Sequence, residues 1–397
     1  MACAACSAGG GTTPVTASGS GNGTSTGSGS SSSSGGPEPV GGTVGMVVVD
    51  VQETFVSSAT NADMAGIVER IKIDFGLAAD HDVPFFVTYE ASKTGDHSLH
   101  APLQPVLPAH AQEFIKTTFD ATGNDAFRDA VVQSALSHLV VVGAETDVCV
   151  LQTVLGLRQL GFTVLLQEDA VFTEETNTAP ALRRMQQAGA LLVDHAAVAN
   201  YVEHPRELPA GGDHPVTILA PLQVGIVLNA FTDATLSTSN DPLTTQKNAR
   251  LRELLLVSEW FELPVYVEND LPNAFASYFN GTLRPITQIA QDTAVTQLIF
   301  AGTDGSLSAL LSTWQTSHDL FVMEDALLTL GTATEQRTRL QPFFARGLVP
   351  TTYKTFYYDM TKSVDLAEWP SPTWVQRFDE YYWITQAPED LPPIPNQ

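Results

Sequence analysis

Two stretches of this chain are versions of each other, and that limits the architecture more than any other feature. Val140 to Cys149 (VVVGAETDVC) lies over Ile299 to Ser308 (IFAGTDGSLS), with Gly143 on Gly302. Gln167-Glu168-Asp169-Ala170 answers Met323-Glu324-Asp325-Ala326, and Arg184 to Ala190 answers Gln341 to Leu348 less closely. Val47 to Asp50 falls on Ile226 to Asn229. A repeat of domain length implies duplication and fusion, and excludes a solenoid of short units. The 397 residues accommodate two such domains comfortably. Packed side by side they form an internal pseudo-dimer like the symmetric pairs of single-domain proteins, and a further homo-oligomer stays open.

The unit that repeats is α/β. Gly45 to Val51 (GMVVVDV) is a continuous Val-rich run, as expected of a parallel strand buried on both faces. A helix is predicted around Asn61 to His81, a strand at Pro84 to Tyr89, a helix at Ala126 to Ser137 and a strand at His138 to Val142. Cys149 to Leu160 then reads as a helix, Thr163 to Gln167 as a strand, and Ala179 to Ala188 as a helix closed by Gly189. That alternation, with right-handed crossovers, predicts a three-layer α/β/α sandwich around a parallel, doubly wound, Rossmann-like sheet, in two tandem copies. The expected division is a Gly/Ser-rich tether at 1–42, a first α/β domain at 43–205 and a linker at 206–215. A second α/β domain follows at 216–365, then an aromatic tail at 366–397 with Trp369, Trp374, Tyr381, Tyr382 and Trp383. The tail is expected to pack across the joint, with a carbohydrate platform as the sharper alternative.

Charge excludes one class of partner. Against 44 Asp and Glu stand 19 Lys and Arg, a formal net charge of -25, with no basic run to follow a phosphate backbone. No nucleic-acid partner is expected. No apolar run reaches the eighteen or so residues of a membrane span. The opening Met-Ala-Cys-Ala-Ala-Cys-Ser-Ala-Gly-Gly resembles the processed end of a bacterial lipoprotein, although no basic or apolar signal region precedes it. It favours the bacterial cell envelope, lipid-anchored or periplasmic, over the cytoplasm. Cys3 and Cys6 lie in that segment, which leaves Cys149 as the one thiol of the folded body. No intradomain disulfide framework is available.

Ligands of open α/β sheets bind beyond the carboxyl ends of the strands, and three side chains of the first half converge there. Asp50 ends the first strand. Lys116 lies in Glu113-Phe114-Ile115-Lys116-Thr117-Thr118-Phe119-Asp120, just before a predicted helix. Cys149 follows the turn Gly143-Ala144-Glu145-Thr146-Asp147 and opens a helix. A thiol at a helix start meets free N–H groups and the positive end of the dipole, which favour thiolate. A lysine nearby strengthens the effect, a carboxylate can accept the proton, and the same amides can receive an oxyanion.

Val47-Val48-Val49-Asp50-Val51-Gln52, Ile115-Lys116-Thr117-Thr118-Phe119-Asp120 and Gly143-Ala144-Glu145-Thr146-Asp147-Val148-Cys149-Val150 resemble three separated motifs of the isochorismatase-like cysteine hydrolases, in order and spacing. The match covers roughly residues 44 to 203. The resemblance implies Asp50 as general base, Lys116 as electrostatic partner and Cys149 as nucleophile. It also implies a cis peptide between Ala144 and Glu145 that aims the amides of Glu145 and Cys149 into an oxyanion hole. Gln52, Phe55, Glu90 and Thr146 are the candidate substrate contacts. Family members that deamidate nicotinamide hold a metal after the second strand. Here Glu90 fills the acidic slot, but Ser92 stands in place of the first histidine, and only His97 remains. No metal, no other cofactor and no nicotinamidase activity are expected.

In the second half Asn229 falls on the Asp50 position, Ser308 on the Cys149 position, and the lysine position comes near Ala276 with no lysine there. That half is expected to be a catalytically inactive pseudo-partner. The leading function is hydrolysis of a small-molecule amide or related acyl bond through a Cys149 thioester. The alternatives are vinyl-ether hydrolysis of the isochorismatase type and a non-catalytic, envelope-tethered binding or scaffold protein.

Overall fold

The first half of the chain builds β1 (Val44–Val49), α1 (Glu53–Ser58), α2 (Met64–Asp80), β2 (Phe85–Glu90), β3 (Gln112–Lys116) and α3 (Asp125–Gln133). It continues with β4 (His138–Ala144), α4 (Cys149–Gln159), β5 (Thr163–Phe172), α5 (Ala179–Gln187), β6 (Leu191–Val193) and α6 (His195–Glu203). The second half runs β7 (Val224–Asn229), α7 (Asp233–Thr238), α8 (Thr244–Trp260), β8 (Val265–Val267), β9 (Leu283–Pro285) and β10 (Gln297–Thr303). It ends with α9 (Leu307–Trp314), β11 (Asp319–Leu328), α10 (Ala333–Phe344), β12 (Val349–Thr351) and α11 (Tyr353–Thr361). The computed structural model describes residues 40–361 except 61–62, 92–96, 176, 213 and 240. The predicted tether and aromatic tail, with Cys3, Cys6 and Ser92, lie outside the described residues.

Each half folds around one six-stranded parallel sheet, ordered β3-β2-β1-β4-β5-β6 and β9-β8-β7-β10-β11-β12. The two orders are the same, so the doubly wound sandwich occurs twice. Central strands β1 and β4 are buried at every residue, as their continuous Val runs require. Edge strand β3 alternates and is half exposed, so its sequence carries no such run. The predicted strands and helices appear at their places, and α1, β3, β6 and α6 are additions. No helix of the described residues is long and apolar enough to cross a membrane.

The repeat extends to single contacts. Asp169 accepts the His195 amide at the start of α6 at 3.1 Å, and Asp325 accepts the Tyr353 amide at the start of α11 at 2.9 Å. Arg70 and Arg250, at the same place along the 17-residue helices α2 and α8, reach these two aspartates at 3.6 Å each. Gly143 and Gly302 hold positive φ of 120° and 97°. A Cβ there would lie 2.0 Å from the Val49 carbonyl oxygen and 2.9 Å from that of Asn229, so glycine is required where the two central strands cross closest.

Both halves belong to one compact unit. Helices α4 and α5 meet α11 and β12, and Tyr358 packs against the cores of both halves. At the centre of the contact the Arg184 guanidinium pairs with Asp359 at 2.6 Å, both essentially without solvent exposure. The second oxygen of Asp359 accepts from Gln152. Breaking one side of a buried pair strands the other charge. Asp359→Ala is therefore expected to lower unfolding free energy by about 3–5 kcal/mol in urea titrations. Adding Arg184→Met should recover much of that loss; an equal loss in the double variant would show that the ion pair is not its source.

Candidate active site

Asp50 stands directly after β1 with a left-handed φ of 48°, which ends the strand and leaves the carboxylate at the sheet's carboxyl edge. Thr88, on neighbouring β2, donates its hydroxyl to Asp50 Oδ1 at 2.9 Å. Lys116 is the last residue of β3, paired with Glu90 in the β2–β3 register. It therefore ends an edge strand, where the sequence alone had put it just ahead of a helix. Its Nζ lies 2.6 Å from Asp50 Oδ2 and donates to the Thr118 carbonyl at 3.2 Å and to Cys149 Sγ at 3.4 Å. Cys149 is the first residue of α4. Asp50 and Lys116 have no exposed surface and Cys149 about 1%.

The turn between β4 and α4 contains the cis peptide Ala144–Glu145. The Glu145 carbonyl accepts the amides of Val148 and Val150, both at 3.1 Å, which holds the next peptide, Glu145–Thr146, against the helix start. Its carboxylate points the other way, to Lys354 of α11 at 3.1 Å.

A contact that sequence reasoning missed is Cys149 Sγ donating to Glu90 Oε2 at 3.6 Å. Only the sheet register brings Glu90 there. The electrostatics follow from this crowding. Burial pushes the Cys149 thiol well above its ordinary value; Lys116 pulls it down, and Asp50, Glu90 and Glu145 push it up again. Burial and the three carboxylates thus oppose the thiolate that a helix start and a nearby lysine favour. Burial alone would lower Lys116, but Asp50, then Cys149 and Glu90, carry it above its ordinary range. Both shifts run upward, for the thiol and for the ammonium beside it.

Of the remaining candidates, Gln52 has its carboxamide on the Glu90 backbone in both directions, at 2.7 and 3.2 Å, and so fixes the end of β2. Phe55 is partly buried against the core on the α2 side. Thr146 is buried, and none of the described residues hydrogen-bonds its hydroxyl.

Residues 44–197 match the isochorismatase domain family model. The first half is an isochorismatase-family domain. Isochorismatase family protein 1B of Dictyostelium discoideum is 26% identical over 153 residues, covering 38% of this chain and 73% of that protein. Among solved structures, a MAR1 ribonuclease from Caenorhabditis elegans aligns with a TM-score of 0.37 and 24% identity, over 46% of this chain and 98% of that one. The ycaC gene product of Escherichia coli, described as an octameric hydrolase of unknown specificity, aligns with a TM-score of 0.38 and 26% identity, over 42% and 79%.

Within the isochorismatase domain the three motif residues meet; at the matching edge of the second sheet they do not. Register corrects the sequence matching there. Asn229 pairs with Gly302 as Val49 pairs with Gly143, so Ala230, with a φ of 43°, holds the Asp50 place. The first helical residue is Leu307, and Ser308 is exposed. Ser306 instead reaches Asn229 Oδ1 at 2.7 Å and Glu268 Oε2 at 3.1 Å. Ala276 lies before the sheet's edge strand, which ends at Pro285 and passes into a 3-10 helix, so no strand residue follows to the Lys116 place. A one-residue shortening of the turn before α9 and the smooth apolar texture of β7 hid these shifts.

One set of metal-type donors occurs among the described residues: Asp50, Glu90 and Cys149, with ligand atoms within 4.8 Å of one another. His97 is not in it. The Lys116 ammonium sits against Asp50 and Cys149 and already supplies the positive charge, so the set does not fit a resident cation. The electrostatics give a signed expectation for alkylation of the Cys149 peptide by iodoacetamide, followed by mass spectrometry against pH. Thiolate onset in the wild type should lie above that of free cysteine. Asp50→Asn removes a charge that opposes thiolate and should move the onset down; Lys116→Ala should move it up. An onset unmoved by Asp50→Asn would mean that the carboxylate does not act on the thiol.

Proposed function

We propose that the first half is a cysteine hydrolase that cleaves an amide C–N or related acyl bond of a small molecule through a thioester on Cys149. The observation that carries this reading is one buried thiol at a helix start, flanked by an ammonium and two carboxylates. When a carbonyl carbon reaches Sγ, Asp50 takes the thiol proton and the S–C bond forms. The carbonyl electron pair moves to oxygen, which the amides of Glu145 and Cys149 receive. As the C–N bond breaks, the proton held by Asp50 goes to the leaving nitrogen. Water then attacks the thioester and gives a proton to Asp50; the new C–O bond forms, the C–S bond breaks and the proton returns to sulfur. Lys116 keeps its charge throughout and balances each anion that appears beside it.

Glu90 and Thr146 are the substrate contacts best supported, because one touches the thiol and the other holds an unspent hydroxyl three residues ahead of it. Phe55 offers an apolar contact, and Gln52 acts through the Glu90 backbone. With Ala230 and Leu307 in the Asp50 and Cys149 places, the second half is a non-catalytic partner. The test is a panel of small amides read by ammonia or amine release, with intact-mass detection of acyl-enzyme. Cys149→Ala should lower turnover by roughly a thousandfold or more, and Ser306→Ala should leave it unchanged. Full turnover in Cys149→Ala, or no acyl adduct with any amide turned over, would refute the thioester.

A further inference from the structure

We infer that α11 of the second half is the positioning element of the first half's active site, with Lys354 holding the Glu145–Asp147 turn so that the oxyanion-binding amides face Cys149. The inference rests on the thioester reading above and names what the second half contributes to it. Lys354, Thr355, Tyr358 and Asp359 share one face of α11 by helical spacing. All four contact the first half, and their contacts fall on the segments that carry the site. Lys354 Nζ lies 3.1 Å from Glu145 Oε1, 3.0 Å from Glu174 Oε1 and 3.9 Å from Asp147 Oδ2. Thr355 donates its hydroxyl to the Asp147 carbonyl at 3.2 Å. Tyr358 stands edge-on to Phe119, at 4.8 Å between centroids, in the loop that follows Lys116. Asp359 accepts from Gln152, in the first turn of α4 after Cys149.

The first half has weak means of its own to hold Glu145. Thr173 and the Glu174 amide approach its carboxylate at 3.3 and 3.5 Å, longer than the lysine contact. In the matching turn of the second half the anchor is internal: Asp304 accepts from Thr329 and Leu330 at 2.9 Å and from Arg339. The first half keeps the threonine contact, Thr173 to Asp147 at 2.7 Å, but takes its cation from across the joint, from a lysine about 1% exposed. Burial alone would lower the Lys354 pKa, but Asp147, Glu145 and Glu174 carry it well above its ordinary value, so its charge is permanent. Removing the ammonium frees the Glu145 side chain, and its amide, part of the same peptide unit as the cis bond, loses its fixed direction.

Two probes of Cys149 separate positioning from reactivity. p-Nitrophenyl acetate needs the oxyanion site: Asp50 takes the thiol proton, Sγ attacks the acetyl carbonyl, the S–C bond forms, the C–O bond breaks and p-nitrophenolate leaves. Iodoacetamide needs only thiolate: Sγ attacks its methylene carbon, the S–C bond forms and iodide leaves as the C–I bond breaks. In the full chain, Lys354→Met should slow acylation about tenfold or more, as small misplacements of catalytic groups do, and leave alkylation within about threefold. Lys354→Arg should restore most of the acylation. Thr355→Val, a milder loss on the same turn, should slow acylation less in the same selective way, and it carries the test if Lys354→Met does not fold. Acylation no faster in wild type than in Cys149→Ala overturns the thioester reading, and this inference with it. Wild-type acylation that survives Lys354→Met, or Thr355→Val where the former does not fold, overturns the positioning role alone. Parallel loss of both probes assigns α11 to general stability and overturns it as well.

Discussion

The Asp50–Lys116 ion pair is the constraint around which the first half is arranged. Two charges with no exposed surface are expensive to take out of water, and their attraction offsets that cost only when the geometry is fixed and the remaining polar atoms are bonded. Three strand ends supply that geometry. β1 ends on Asp50 with a left-handed residue, β2 brings the Thr88 hydroxyl, and β3 brings Lys116 in register with Glu90. Once the pair is in place, the thiol that opens α4 lies beside an ammonium that favours its ionisation and carboxylates that oppose it. Its burial sets it apart from an exposed, permanently ionised cysteine.

What the sequence made legible tracks how local the cause is. Asp50 and Cys149 were readable because a buried strand and a helix start announce themselves over a few residues. Lys116 was named, but its setting was misread, because β3 is a half-exposed edge strand without the apolar run that marks β1 or β4. Glu90 was placed as a pocket residue; its contact with the thiol depends on strand order, which no short window contains. The direction of the thiol's shift also escaped, since a helix start and a lysine both argue for thiolate until the number of surrounding carboxylates and the burial are known. In the second half the errors were one-residue slips, Asn229 for Ala230 and Ser308 for Leu307. A run such as Val224–Asn229 looks alike in adjacent registers, and a turn can lose a residue without changing its texture.

The two halves divide their inheritance in an informative way. Folding contacts recur in both: the aspartate that caps the last helix, the arginine behind it, and the glycine where the central strands crowd. Site residues recur in one. Asp169 and Asp325 do the same work, while Ala230 stands at the Asp50 place and Leu307 at that of Cys149. Loss of a capping aspartate costs stability wherever it happens. Loss of a buried carboxylate together with its lysine removes both charges at little cost to the fold, whereas loss of either alone would strand the other. The pattern is what results when one half is held to the fold alone.

Holding to the fold does not make the second half a bystander, because the surface it keeps buried is the surface beside the catalytic turn. A separate partner would have to be captured from solution and would leave the site whenever it dissociated. A fused one is present at the effective concentration set by a short linker, and its helix can be relied on as though it were part of the first domain. Under that condition the first half can dispense with an internal anchor of the kind Asp304 finds in Arg339, and take Lys354 from across the joint. The dependence then runs one way. The second half's turn closes on its own residues, whereas in the first half's turn Thr173 holds Asp147 at 2.7 Å and Glu145 takes its shortest contact, at 3.1 Å, from a lysine of the other half. In a fused chain a helix of one half can serve as a fixed support for a turn of the other, because the two never separate.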